Sequence, residues 1–235
     1  MTVAGAARYN GTMHVVILTA LLPEARAVAR AFHLQTRFAN QYISGGGVTV
    51  ALVGPCAKVM DRECLTAARG VIMCGLGGAL RTDLAVGDVV IQGECGPISG
   101  LAHRFFRGKI ATSEKHTATP AQKAALFEQS GALAVDMETQ PVQALAHCLH
   151  IPFLAVRAIS DTATGTLDPA FLKFVNAHGR PRVGRALAHL ARHPTKLAGM
   201  LQIRRATNVA LANLATTLVA IVSSGWPEMD QPGAP

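Results

Sequence analysis

The chain predicts an α/β protein. It reads as a three-layer α/β/α arrangement around a mixed, mainly parallel central sheet, with a helical C-terminal extension. Three observations carry this. Strand and helix signals alternate up to Asp161. The strands are apolar runs without a polar face, the longest being Ile151-Pro152-Phe153-Leu154-Ala155-Val156-Arg157-Ala158-Ile159-Ser160-Asp161. A strand apolar on both sides belongs inside a parallel sheet. After Asp168 the pattern is helical throughout.

Each element follows from local chemistry. Val15-Val16-Ile17-Leu18-Thr19-Ala20 is the first strand, and Pro23 starts a helix where its missing N–H costs nothing. Tyr42-Ile43 and Val48 to Val53 flank Gly45-Gly46-Gly47, a hairpin pattern. A helix is expected from about Ala57 to Arg69, stopped by Gly70. Val71-Ile72-Met73-Cys74 is a buried strand running into a turn at Gly75-Leu76-Gly77-Gly78, and Val86 to Ile91 is another strand. A further strand lies near Arg107-Gly108-Lys109-Ile110. Thr119-Pro120 caps a helix that ends at Gly131. Ala132 to Val135 leads to Glu138, and Glu138 to His150 is helical. The expected divisions are a disordered leader at 1–12, the α/β domain at 13–190, a helical extension at 191–225 and a loose Pro-rich tail at 226–235.

Composition narrows the function. Of 235 residues half are hydrophobic and 15% charged, which suits one sizeable domain. Aromatics are scarce, so stacking platforms for nucleic acid are not expected. The formal charge of +8 is uneven: no Asp or Glu stands between Pro169 and Pro227, where Lys173, Arg180, Arg182, Arg185, Arg192, Lys196, Arg204 and Arg205 all fall. Such a segment can meet a membrane surface, and a solvated helix face accounts for it equally well. The apolar stretch 206–222 is short for a membrane span and fits a membrane surface, a partner or its own domain. Five cysteines without a C-x-x-C pair fit a reducing cytoplasm and no metal site, and Met1 to Thr12 has no apolar signal-peptide core. No G-x-G-x-x-G or P-loop pattern is present, so no cofactor is expected.

Three acids stand just past strand ends: Glu24, Glu138 and Asp161. That rim is where open α/β sheets bind ligands, and glycines at 75, 77 and 78 would let backbone approach one closely. A carboxylate at a helix start is also explained by the helix dipole alone.

Taken in order, Gly75-Leu76-Gly77-Gly78-Ala79-Leu80, Val86-Gly87-Asp88-Val89-Val90, Val135-Asp136-Met137-Glu138-Thr139 and Val156-Arg157-Ala158-Ile159-Ser160-Asp161 resemble the nucleoside phosphorylase/nucleosidase superfamily. Thr19 to Glu24 matches the first-strand motif of its nucleosidase branch, which includes methylthioadenosine/S-adenosylhomocysteine nucleosidase. The resemblance covers about residues 14 to 180 and implies cleavage of a purine N-glycosidic bond. It casts Asp161 as the acid that protonates the leaving base and Ser160 as its orienting neighbour. Glu24 becomes the residue that activates water, Glu138 the acceptor of ribose hydroxyls, and Met137 a packing surface for the sugar. Gly75, Gly77 and Gly78 would lie near the nucleophile. The family's phosphorylases carry Arg where Glu24 and Met73 stand here, and Arg26 is displaced by half a turn, so water is the expected nucleophile. Leu133 to Thr139, with Gln122 to Leu126 and Ser130-Gly131-Ala132, is similar to the hopanoid-associated subgroup, which implies an adenosylhopane-like, lipid-linked substrate. The resemblance also implies a homo-oligomer, cytoplasmic and peripheral at the inner membrane if the substrate is a lipid. Two departures stand out. The connection from Gln92 to Phe106 is short, and the family's base-stacking Phe maps near His116.

Overall fold

In a computed structural model, residues 14–38, 41–60, 62–65, 67–166, 175–185, 192 and 197–227 are described. The leader expected at 1–12 and most of the tail after 226 lie outside them. The strands are β1 (Val15–Thr19), β2 (Tyr42–Gly45), β3 (Val48–Leu52), β4 (Gly70–Ala79), β5 (Val89–Gln92), β6 (Phe105–Arg107), β7 (Ile110–Thr112), β8 (Ala134–Asp136) and β9 (Phe153–Asp161). The main helices are α1 (Leu22–Ala31), α2 (Pro120–Ser130), α3 (Thr139–Cys148) and α4 (Leu197–Ser223).

The sheet runs β2-β3-β1-β4-β9-β5-β6, with β8 and β7 branching from the far end of β4. β3, β1, β4 and β9 are mutually parallel neighbours. β5 is antiparallel to β9, and β8 to β4, so the sheet is mixed. Burial explains the central strands: Val15, Ile17, Ile72, Cys74, Leu154 and Val156 enter one core face, and Val16, Leu18, Val71 and Met73 the other. The hairpin turn passes through Gly46 and Gly47 at φ +58° and +79°, left-handed conformations that glycine adopts without a Cβ penalty.

Four expectations change. The helix expected from Ala57 to Arg69 is replaced, among the described residues, by two short 3₁₀ turns, Pro55–Ala57 and Arg62–Leu65. Cys56 and Ala57 hold φ +57° and +53°, so an α-helix cannot start through them. The strand expected at Val86 begins at Val89, because Asp88 closes a turn by accepting from the N–H of Ala85. Gly75 to Gly78 is no turn; β4 continues through it to Ala79, paired with β9 on one side and, at its end, with β8 on the other. The stretch after Asp168 is not all helix: Val175 and Pro181 bridge across a turn.

α4 belongs to the main core. Ala210, Leu214, Leu218 and Ile221 are fully buried in the same cluster as Ile17, Ile72 and Val156. Gly199–Ser223 is long and apolar enough to cross a membrane by length and composition, longer than the sequence reading allowed. Two of its polar residues, Asn213 and Thr217, face inward. Asn213 Nδ2 donates to Gly87 O at 2.7 Å, and Thr217 Oγ1 lies 2.8 Å from His103 Nε2. Trp226, just beyond, donates to Glu94 O at 3.0 Å, so the helix and its tail brace the short connection between β5 and β6.

Candidate active site

Glu24 lies in the first turn of α1, immediately after β1, and is 2% exposed. Its Oε2 accepts from Leu21 N at 2.8 Å, which ties the carboxylate back over the helix start. Its Oε1 accepts from Leu76 N at 2.9 Å, across the sheet rim. Burial pushes its pKa up to about 7, opposed by the Leu76 amide and by Arg157 and reinforced by Glu138. A carboxyl poised there can take a proton near neutrality.

Arg157 is the cation of this site and is fully buried on β9. Its Nη2 pairs with Asp136 Oδ2, lies 3.6 Å from Glu138 Oε2 and donates to Thr139 Oγ1 at 3.4 Å. Burial works against its charge, but Asp136, Glu138 and Glu24 outweigh it and hold its pKa above the ordinary value. Its Nε and Nη1 have no hydrogen-bond partner among the described residues. Asp136 is saturated: it also accepts from Thr112 Oγ1 at 2.8 Å and from Thr139 N at 3.0 Å, so its work is to anchor Arg157 and the start of α3. Glu138, just before α3, accepts from Cys56 N at 3.0 Å. Burial raises its pKa, Arg157 counters this and Asp136 adds to it.

The glycines of β4 make the space. A Cβ on Gly75 would stand 2.5 Å from Arg157 Nη1 and 2.8 Å from Glu24 Oε1. One on Gly78 would stand 3.1 Å from Asp161 Oδ2, and one on Gly77 3.2 Å from Arg157 Cβ. Their role is therefore an absent side chain rather than a loop of free amides, since Leu76 N–H is already committed to Glu24.

Asp161 ends β9, three strand positions from the Glu24–Arg157 group, or roughly 10 Å along β4. Ser160 Oγ donates to its Oδ1 at 2.9 Å and lies 3.3 Å from Gly77 O. Its Oδ2 accepts from Lys123 Nζ at 2.5 Å. His116 is half-buried; burial lowers its pKa, Asp161 raises it and Lys123 lowers it, and its Nε2 has no partner among the described residues. Met137 is half-buried beside Glu138. Among the described residues, no group of three His, Cys, Asp or Glu side chains could hold a metal ion.

The structure brings most of the residues singled out in the sequence into two groups joined by β4. Glu24, Glu138 and Gly75 gather at Arg157, and Asp161, Ser160, Gly78 and His116 gather at Lys123. The supporting residues Arg157, Asp136 and Lys123 were missed as functional. Arg157 had a signal: an arginine inside an apolar strand must find anions or remain buried unpaired. Lys123 had none, because a lysine on a helix is usually solvated. Arg26 is exposed and donates to Thr36 O, away from the site.

Residues 95–192 match the family model of the Phosphorylase superfamily. A 5′-methylthioadenosine/S-adenosylhomocysteine nucleosidase of Staphylococcus haemolyticus is 32% identical over 69 residues, which is 29% of this chain and 30% of that protein. Among solved structures, the 5′-methylthioadenosine/S-adenosylhomocysteine nucleosidase of Helicobacter pylori aligns with a TM-score of 0.64 at 16% identity, covering 92% of this chain and all of that one. The S. pneumoniae enzyme aligns at 0.62 and 22% identity, over 89% of this chain and 98% of that one. A futalosine hydrolase of H. pylori aligns at 0.60 and 15%, over 90% and 98%. At these identities the structural likeness speaks for the fold.

Proposed function

We propose, from the match of residues 95–192 to the Phosphorylase superfamily model and from the site's geometry, that the chain hydrolyses the N-glycosidic bond of a purine nucleoside. The observation that carries this reading is the pairing of two groups on one rim. Glu24, with a pKa near 7, stands beside the unpartnered donors of Arg157, and Asp161 lies further along the strand. In this reading a water donates to Glu24 and is held by Arg157. Glu138 accepts the sugar hydroxyls, with Met137 packing on the ribose. Asp161, oriented by Ser160, delivers a proton to the departing base, and His116 faces that base. Withdrawing electrons from the base and building nucleophilicity at the water lower the same barrier from opposite sides. Phosphate is disfavoured as nucleophile because Arg157 is already outnumbered by Asp136, Glu138 and Glu24, so a phosphate dianion would enter an anionic site.

The relatives named above act on methylthioadenosine, S-adenosylhomocysteine or futalosine, which makes a nucleoside modified at the 5′ position the natural first substrate class. A finer reading is a lipid-linked adenosine of adenosylhopane type, with the protein a cytoplasmic homo-oligomer touching the inner membrane. The exposed apolar residues Leu197, Leu201 and Val209 near Arg204 and Arg205 favour it. The test is incubation with methylthioadenosine, futalosine and a lipid-linked adenosine, with and without phosphate, following the free base. Release without phosphate is expected. Dependence on phosphate would make the enzyme a phosphorylase, and binding without release would make it a nucleoside-binding protein. Full-length Leu197→Glu/Leu201→Glu should lose liposome binding if the membrane contact is real; unchanged sedimentation removes it.

A further inference from the structure

The acid assigned to the leaving base is not alone. Lys123, on the first turn of α2, is 0% exposed. Its Nζ has three acceptors: Asp161 Oδ2 at 2.5 Å, Thr162 O at 2.6 Å and Gly165 O at 3.2 Å. Three acceptors for three N–H groups is the arrangement of an ammonium, not an amine. Lys123 and Asp161 form an ion pair, and the carboxylate of an ion pair has no proton of its own to give to a base. A buried lysine of this kind is expensive unless its charge is used or fully paired. The imidazole of His116 also faces the pair, with its pKa lowered by burial.

We infer that Lys123 and Asp161 act as one proton-donating unit, with Lys123 as the store of the proton and Asp161 as its carrier. This rests on the nucleosidase reading. As the glycosidic bond breaks, its electron pair passes to the purine. One proton passes from Lys123 Nζ to Asp161 Oδ2 and from that carboxyl on to the purine nitrogen, so Asp161 ends, as it began, as a carboxylate. Water gives its hydroxyl to the sugar carbon and its proton to Glu24. The base leaves neutral, Lys123 is left as an amine, and the proton on Glu24 returns through solvent. The backbone carbonyls of Thr162 and Gly165 hold Nζ in place while one N–H is lent.

The experiment is the pH profile of kcat for base release by wild type and Lys123→Met. In the wild type the donated proton is stored on Lys123 Nζ. In the variant it rests on Asp161 alone. The alkaline limb of the variant should therefore lie at least about two pH units lower, with activity at pH 7.5 down about 100-fold and the ratio of variant to wild type climbing back toward one as pH falls. A profile that merely drops, with its limb unmoved, overturns the proposal while leaving the nucleosidase reading intact. A wild type that releases no base sinks that reading and this proposal with it. Should Lys123→Met not fold, Lys123→Arg carries the test. It keeps the ion pair but does not release its proton, so kcat should fall at every pH while KM is held, and wild-type kcat in that variant overturns the proposal.

Discussion

Glu24 and Asp161 are both carboxyls at strand ends, yet their surroundings divide the labour. Asp161 has an ammonium and a serine hydroxyl; Glu24 has two amides, a guanidinium across Gly75 and almost no exposure. Asp161→Asn should lower base release by at least about 100-fold with the fold kept, read by base release and circular dichroism. For Glu24 the folded pKa of about 7 lies above the ordinary 4.5. The folded state therefore binds more protons than the unfolded one between those values, and stability falls as pH rises through that window, by about 3 kcal/mol in all. Glu24→Gln has no such loss. The difference in Tm between variant and wild type should move in the variant's favour from pH 5 to pH 8, while activity falls at both. A Tm difference independent of pH would show that Glu24 does not titrate in this range. Wild-type kcat should rise through about pH 7 on its acid limb, where the carboxylate forms. At Gly75 one methyl is enough: Gly75→Ala would press on Arg157 and Glu24, and should cost activity far more than substrate affinity.

Among the elements, α2 and β9 follow the sequence closely and the stretch after β3 does not, for a physical reason. Thr119 Oγ1 accepts from Gln122 N at 3.3 Å, and Gln122 Oε1 accepts from Thr119 N at 3.2 Å, a reciprocal cap legible from four residues. Thr119→Ala should cost about 1 kcal/mol, a Tm loss of about 2–4 °C by calorimetry. Residues 55–57 have no such local signal. Nothing in Pro-Cys-Ala announces left-handed backbone; the Glu138 carboxylate that takes the Cys56 amide lies 82 positions away in sequence. β4 shows the same limit in reverse. Four residues with three glycines read as a turn, and the partners that make them a strand, β8 and β9, are distant in sequence. The site was legible where a charge interrupts an apolar run, as at Asp161. It was hidden where the charge that meets Asp161 comes from a helix packed over that run, as with Lys123.

At the scale of the molecule, the sequence placed a boundary near residue 190, whereas α4 closes the same core as the sheet. The uncharged stretch 206–222 left membrane, partner and domain equally open, because apolar content does not say what covers it. Its Asn213 and Thr217 place one face of it on its own domain by reaching the loops beside β5. A chain ending at residue 190 would uncover the face now held by Ala210, Leu214, Leu218 and Ile221. It should bind a hydrophobic dye and precipitate, so its sticking to liposomes would say nothing about membrane function. A truncated chain that remains soluble with a cooperative thermal transition would show that the sheet closes without α4.

That arrangement also sets the order of events during synthesis. The elements that carry Glu24, Arg157 and Asp161 leave the ribosome well before α4, and domains complete themselves only when their last covering element arrives. Until α4 emerges, the nascent sheet keeps one apolar face open, at the stage when chaperones and proteases inspect it. Stalling before α4 therefore yields a chain fit for degradation, and the rim becomes usable only once the helix has docked.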